Sequence, residues 1–258
     1  MHLLTSERSP FNTLRVCDTT ELYGELGKFR VLQFADGAVQ GAIDLRAPSR
    51  VVLPYQRAMI RLMDTIRPSF DRAFVIGHGA GTLARHYRDR RIDVAELDER
   101  VVALSREYFG YMQDNVAVGD GRALLAQAGA GSLDYIVVDA FTSEGTPPHL
   151  ATLEFYEMAG GKLRTGGAML INVIGRGRGD KRVASMLATL EAAFASTTAL
   201  AHRTQDREDG ANLILVAGAG GIADASLPPD FEPIRLERGY VLHDRAAGEP
   251  EDSGRSQE

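Results

Sequence analysis

The strongest constraint on the fold is a succession of four short apolar runs, each ending in glycine or a carboxylate. Residues 73–76 lead into Gly77-His-Gly-Ala-Gly81, and residues 91–96 end on Glu96. Residues 115–118 lead into Gly119-Asp-Gly121, and residues 134–139 end on Asp139. Each run has strand length and is followed by helical spacing: residues 83–90, residues 99–109 behind Asp98 as N-cap, and a short helix after Gly121. Farther along, residues 153–163 and 183–194 read as helices, and residues 168–174 and 212–216 as strands. This alternation predicts an α/β fold with a doubly wound, mostly parallel sheet. Such sheets bind ligands outside the carboxyl ends of their strands, so the four endings are brought to one edge.

Ahead of this pattern, residues 12–45 read as short strands with a hairpin turn of type I′ at Asp36-Gly37. A helix is expected from Pro54 to about Ile66, closed by Pro68. The expected organisation is an N-terminal β-hairpin module over residues 1–50 and a nucleotide-binding α/β domain over 51–225. A C-terminal extension follows over 226–258, polar and disordered at its end. The single cysteine, Cys17, excludes an intrachain disulfide framework. Six scattered histidines supply neither a finger nor an HExxH pattern, so no metal is implied. No apolar run approaches the roughly 18 residues of a membrane span, and the N-terminus has no signal-peptide pattern. A cytoplasmic protein without membrane or nucleic-acid partners is expected. The net charge of −6 argues against a general nucleic-acid binder and suits a cationic small substrate.

Gly77, Gly79 and Gly81 let backbone approach a ligand closely at a helix N-terminus. Glu96 lies nineteen residues after Gly77, where a carboxylate can accept both ribose hydroxyl hydrogens. A dinucleotide enzyme shares these two features. The third ending differs: Asp120 can accept the adenine amino hydrogen, with the Gly121 N–H near the ring, or serve only as a turn residue. Asp139 is a candidate base or a loop anchor.

The ordered set Asp36-Gly-Ala-Val-Gln40, Tyr55, the Gly77 turn, Glu96-Leu-Asp98, Gly119-Asp-Gly121 and Val137-Val-Asp-Ala140 resembles the spermidine synthase (polyamine aminopropyltransferase) family. The likeness covers roughly residues 12–215. It implies a class I methyltransferase-like (Rossmann-like) fold behind a small N-terminal β domain. It also implies transfer of an alkyl group, aminopropyl in that family, from an adenosyl sulfonium donor to a small-molecule amine acceptor. The donor would be S-adenosylmethionine or its decarboxylated form, and a homodimer through the N-terminal domain is implied. By the same likeness Gln40 and Tyr55 line the active site, Glu96 holds ribose, Asp120 holds adenine, and Asp139 is the acid/base beside the attacking amine. The chemistry requires such a base. An alkylamine of pKa near 10.4 costs about 4.6 kcal/mol to deprotonate at pH 7, and a buried carboxylate with a raised pKa can take the proton.

Three positions depart from the family. Ala80 stands where an acidic residue follows the third glycine and holds the donor's amine. Arg61 stands where a histidine is usual, and Thr142 where a second Asp is usual, with Glu144 nearby. Arg61 can pair with the carboxylate of intact S-adenosylmethionine, or point to solvent. An S-adenosylmethionine-dependent methyltransferase and a non-catalytic nucleoside-binding protein therefore stay open as alternatives. A nicotinamide-dependent dehydrogenase is disfavoured by Gly119-Asp-Gly121. His78 faces either ligand or solvent, His149 reads as a helix cap, and residues 175–180 as a basic loop or lid.

Overall fold

The computed structural model describes residues 1–142, 145–176, 179–203, 210–218, 220 and 227–245. The chain opens with β1 (His2–Arg8), β2 (Thr13–Leu22), β3 (Glu25–Gln33) and β4 (Val39–Asp44), an antiparallel sheet in that order. Alternation decides which face each residue serves. Leu14, Val16, Leu32 and Ile43 pack on Ala80 and on Val101, Leu104 and Phe109. Cys17, Phe29, Val31 and Ala42 turn the other way into the cluster built on Leu53, Met59 and Phe70. The sheet therefore roofs the glycine-rich turn.

Two details differ from the sequence reading. β1 joins the expected strands, so the module is a four-stranded sheet rather than a hairpin. The type I′ turn is not at Asp36-Gly37, where only Gly37 has positive φ. Tyr23 (φ 51°) and Gly24 (φ 76°) form it between β2 and β3. At the other site the Asp36 carboxylate accepts from Ala38 N–H at 2.9 Å and holds a wider loop.

After α1 (Pro54–Ile66) come β5 (Arg72–Ile76), α2 (Thr82–His86), β6 (Arg91–Glu96), α3 (Glu99–Phe109), β7 (Val116–Val118), α4 (Gly121–Ala126) and β8 (Leu133–Val138). They are followed by α5 (Leu153–Lys162), β9 (Leu163–Gly175), α6 (Lys181–Ala193), β10 (Thr197–His202), β11 (Ala211–Ala217) and β12 (Phe231–Pro233). The second sheet has the order β12-β10-β11-β9-β8-β5-β6-β7. β7, β6, β5, β8 and β9 are parallel, and β11 runs antiparallel between β9 and β10. The order reverses at β5 and β8, so a crevice opens beyond their carboxyl ends. β8 is buried along its whole length, as a parallel strand covered on both faces must be.

β10 and β12 escape the sequence reading: the Thr-Thr-Ala-Leu-Ala-His stretch of β10 carries no β-branched core residue or large aromatic. α2 ends four residues before the expected Arg90, because Tyr87 turns inward. Its hydroxyl donates to Ile60 O (3.2 Å) and to Asp64 Oδ1 (3.0 Å) in α1. The C-terminal extension is anchored over its described part. Leu242 N–H donates to Thr189, Leu242 O accepts from Leu153 N–H, and Asp244 forms a two-point pair with Arg122. The expected disordered end, residues 248–258, lies outside the described residues.

Asp134, at the start of β8, is fully buried. One carboxylate oxygen accepts from Asp71 and Arg72 N–H, both at 2.9 Å, and the other pairs with Arg67 at 2.8 Å. It thus fastens β5 to β8 at the end opposite the crevice. Asp134→Asn removes the charge from this staple and is expected to cost about 1–3 kcal/mol in urea unfolding. A midpoint unchanged from the parent would show that the staple contributes nothing.

Candidate functional site

The crevice beyond β5, β6, β7 and β8 is lined by Gly77 and Gly79, by Glu96 and Asp98, by Asp120 and Gly121, and by Asp139. The N-terminal sheet closes it through Leu32, Phe34 and Gln40, with Phe11 and Asn12 at the rim. Gln40, Asp139 and Phe141 also line a second cleft, with Tyr23, Tyr55, Asn172 and Asn212. Asp139 therefore stands where two clefts meet.

The glycine turn serves the protein as much as a ligand. A Cβ at Gly77 (φ 101°) would lie 2.1 Å from the Asp139 carbonyl oxygen, and one at Gly79 (φ 54°) 2.5 Å from the Gln40 carbonyl oxygen. Gly77 thus lets β5 and β8 end side by side, and Gly79 lets the N-terminal sheet sit on the turn. Gly81 caps α2 beneath the Tyr111 ring, away from the larger crevice.

Glu96 accepts from His78 N–H at 2.8 Å and from Asp98 N–H at 3.0 Å, one on each oxygen. Burial raises its pKa, and these backbone donors work in the opposite direction. Each oxygen keeps a lone pair for a hydroxyl donor. Asp98 caps α3 as expected, accepting from Arg100 N–H. Asp120 is both a capping residue and a crevice-lining one. It caps α4 through Ala123 N–H (2.8 Å) and lines the crevice, where its second oxygen meets His149 Nε2 at 2.8 Å. His149 is therefore no helix cap; Thr152 caps α5.

At the junction, the Tyr55 hydroxyl donates to Asp139 Oδ2 at 3.0 Å, and Asn172 Nδ2 donates to Oδ1 at 2.8 Å. Asn212 Nδ2 donates in turn to Asn172 Oδ1 at 3.0 Å. Burial pushes the Asp139 pKa up, and the two hydrogen bonds hold it back. Burial, then the adjacent Asp139 carboxylate, raises the Tyr55 phenol well above its usual range, so it stays a donor. The result is an oriented carboxylate with raised proton affinity, facing two clefts.

Arg61 requires a correction: it is exposed on α1 and lines neither cleft. At about 100° per residue, a residue six positions from the inward-facing Tyr55 points some 240° away. Of the two directions left open for His78, solvent is excluded: it is 8% exposed, packs edge-on to Tyr111 and lines the crevice. Thr142 lines the crevice, whereas Glu144 and residues 177–178 of the expected lid lie outside the described residues. Sequence reasoning missed Asn172, Asn212 and Gln56. A lone Asn within the apolar run 168–174 was the available signal, as was a glutamine on the inner face of an amphipathic helix.

Residues 53–178 match the model of the spermine/spermidine synthase domain. Spermidine synthase 1 of Pisum sativum is 33% identical over 126 residues, covering 45% of this chain and 38% of that protein. Putrescine N-methyltransferase 1 of Nicotiana tabacum is 31% identical over 127 residues, 45% of this chain and 34% of that one. The chain thus spans less than half the length of these curated relatives. A probable spermidine synthase from Corynebacterium glutamicum ATCC 13032 superposes with a TM-score of 0.79 at 20% identity. That match covers 95% of this chain and 98% of the other, and it shows the shared fold.

Proposed function

We propose that this chain, which is similar to the spermidine synthase family over residues 53–178, is an aminopropyltransferase acting on a small primary amine. The observation that carries the reading is Asp139, oriented by Tyr55 and Asn172 where the two clefts meet. The donor is decarboxylated S-adenosylmethionine. Its ribose lies on Glu96 and its adenine beside Asp120 and Gly121, while the amine enters past Tyr23, Tyr55 and Asn212. Asp139 takes the ammonium proton. The freed lone pair attacks the propyl carbon bonded to sulfur, the carbon–sulfur bond breaks toward sulfur, and neutral methylthioadenosine leaves. Charge is consumed at sulfur, so a site of low dielectric favours the step. Holding nitrogen and carbon in line supplies much of the acceleration. With Arg61 turned to solvent, no described guanidinium at the crevice lining answers the carboxylate of the intact donor. A homodimer through the N-terminal sheet, whose Leu3 and Leu26 are exposed, belongs to the same reading; sedimentation velocity tests it.

The nucleoside half is tested by calorimetric titration with methylthioadenosine. Glu96→Gln is expected to weaken binding about tenfold, the worth of one charge-assisted hydrogen bond at about 1.4 kcal/mol. An unchanged affinity would remove ribose from Glu96. The relative among the putrescine N-methyltransferases and the missing carboxylate at Ala80 favour one second reading, methyl transfer from intact S-adenosylmethionine. That reaction leaves S-adenosylhomocysteine instead.

A further inference from the structure

A further cleft, of about 660 Å³, begins at Thr82, one residue past the glycine turn. It shares no lining residue with the crevice or with the cleft at Asn212. Its walls are the chain that follows β4, α2 with the residues just after it, and the C-terminal end of α3. The volume lies within the range of small-molecule sites, roughly 300–1,000 Å³. The lining carries three guanidinium groups, Arg50, Arg85 and Arg88, and the His86 imidazole, against one carboxylate, Asp89. In a chain of net charge −6 this is a local reversal of sign.

Two groups here lack the partner that burial calls for. Arg85 is half-buried on α2. Its guanidinium donates to Phe109 O at 2.7 Å and to Ala80 O at 3.3 Å, both neutral carbonyls. Among the described residues no carboxylate pairs with it, whereas Arg50 is held by Glu25 and Asp44. Burial accordingly lowers the Arg85 pKa, the sign of a cation drawn from water without a counter-charge. Thr82, 9% exposed, buries a hydroxyl that has no hydrogen-bond partner. Threonine in a helix divides between two χ1 rotamers, so this hydroxyl can turn from its buried seat to the cleft.

The placement of these groups selects a ligand class. Thr82 and Arg85 are three residues apart on α2 and so share a face. An anion with several acceptor oxygens meets both, with Arg88 and His86 close by. A phosphate monoester, with three free oxygens and a charge of about −1.5 to −2 at pH 7, answers this set better than a carboxylate. The rest of the wall is apolar, with Leu45, Pro48, Val51 and Tyr108 lining it and Leu45 38% exposed.

We propose that this cleft binds a small organic phosphomonoester, its phosphate on Arg85 and Thr82 and its apolar body against Leu45, Pro48 and Val51. None of these residues takes part in the transfer reaction, so the site stands or falls separately from it.

Phenyl phosphate is the probe, titrated calorimetrically into the parent, Arg85→Gln and Thr82→Val, with inorganic phosphate and benzoate for comparison. It is expected to bind the parent at least about tenfold more tightly than inorganic phosphate, through burial of the ring. Benzoate, with less charge and fewer oxygens, is expected to bind about tenfold more weakly than the probe. Arg85→Gln is expected to weaken the probe about tenfold or more, and Thr82→Val about fivefold. Thr82→Val is also expected to keep or raise the urea midpoint, because the hydroxyl it removes is unsatisfied in the free protein. It therefore carries the test if Arg85→Gln does not fold. A parent that does not bind phenyl phosphate, or a folded Thr82→Val that binds it as the parent does, overturns the site. Displacement of the probe by methylthioadenosine would place it in the crevice instead and overturn the site equally. Benzoate binding as tightly as phenyl phosphate would overturn the phosphate assignment.

Discussion

Asp139→Asn is expected to lower kcat by roughly a thousandfold, within the range of about 10²–10⁴ for loss of a positioned general base. The substitution keeps the side chain's shape, and an amide can still accept from Tyr55 Oη, whose present distance is 3.0 Å. It cannot take the ammonium proton. Methylthioadenosine binding is expected to change little, because the proposed nucleoside contacts are Glu96 and Asp120 rather than Asp139. The pH profile supplies a second signature. Burial raises the Asp139 pKa, so the acidic limb of kcat/KM in the parent lies above the usual carboxylate range. Activity falls as pH drops through that value and Asp139 gains its proton. In Asp139→Asn that limb disappears. A variant retaining a tenth or more of the parental kcat would show that the base is elsewhere.

Gly77→Ala is expected to be the most damaging single methyl group in the site. The backbone there has φ of 101°, and the new Cβ would lie 2.1 Å from the Asp139 carbonyl oxygen and 2.7 Å from its carbonyl carbon. The neighbour is backbone at the end of β8, where Asp139 N–H donates to Ile76 O at 2.8 Å, so no rotamer change relieves the contact. β5 and β8 must part or the turn must rebuild. Strain of this kind costs about 1–3 kcal/mol, and the displaced contacts bring the expected loss to about 3 kcal/mol or more. Any shift moves Asp139 with it. A misplacement near 1 Å is worth about a hundredfold in rate, so kcat is expected to fall at least that far in the fraction that stays folded. Urea unfolding and kcat measured on one preparation check both. A variant of parental stability and turnover would mean that the two strand ends are not held as described.

The crevice edge of the sheet was legible in the sequence for a physical reason. A parallel strand buried on both faces reads as an unbroken apolar run, so its polar terminus stands out, as with Val137-Val138-Asp139. Glu96, Asp120 and Asp139 are brought together because the chain order of the strands places their ends at one crevice. Arg61 shows where a motif position misleads, since its direction depends on helix rotation relative to Tyr55. The type I′ turn was misplaced because Asp-Gly is the commoner solution, while here Tyr23 accepts positive φ. β10 was missed because its alanines pack only through strands supplied from elsewhere in the chain.

Identification of the nucleoside product by mass spectrometry tests the central claim most directly. The purified protein is given a panel of small primary amines with decarboxylated S-adenosylmethionine and, separately, with the intact form. The account predicts methylthioadenosine in equal amount to an aminopropylated amine from the decarboxylated donor, with neither product from Asp139→Asn at comparable times. S-adenosylhomocysteine and a methylated amine from the intact donor, with no turnover of the decarboxylated one, would contradict it.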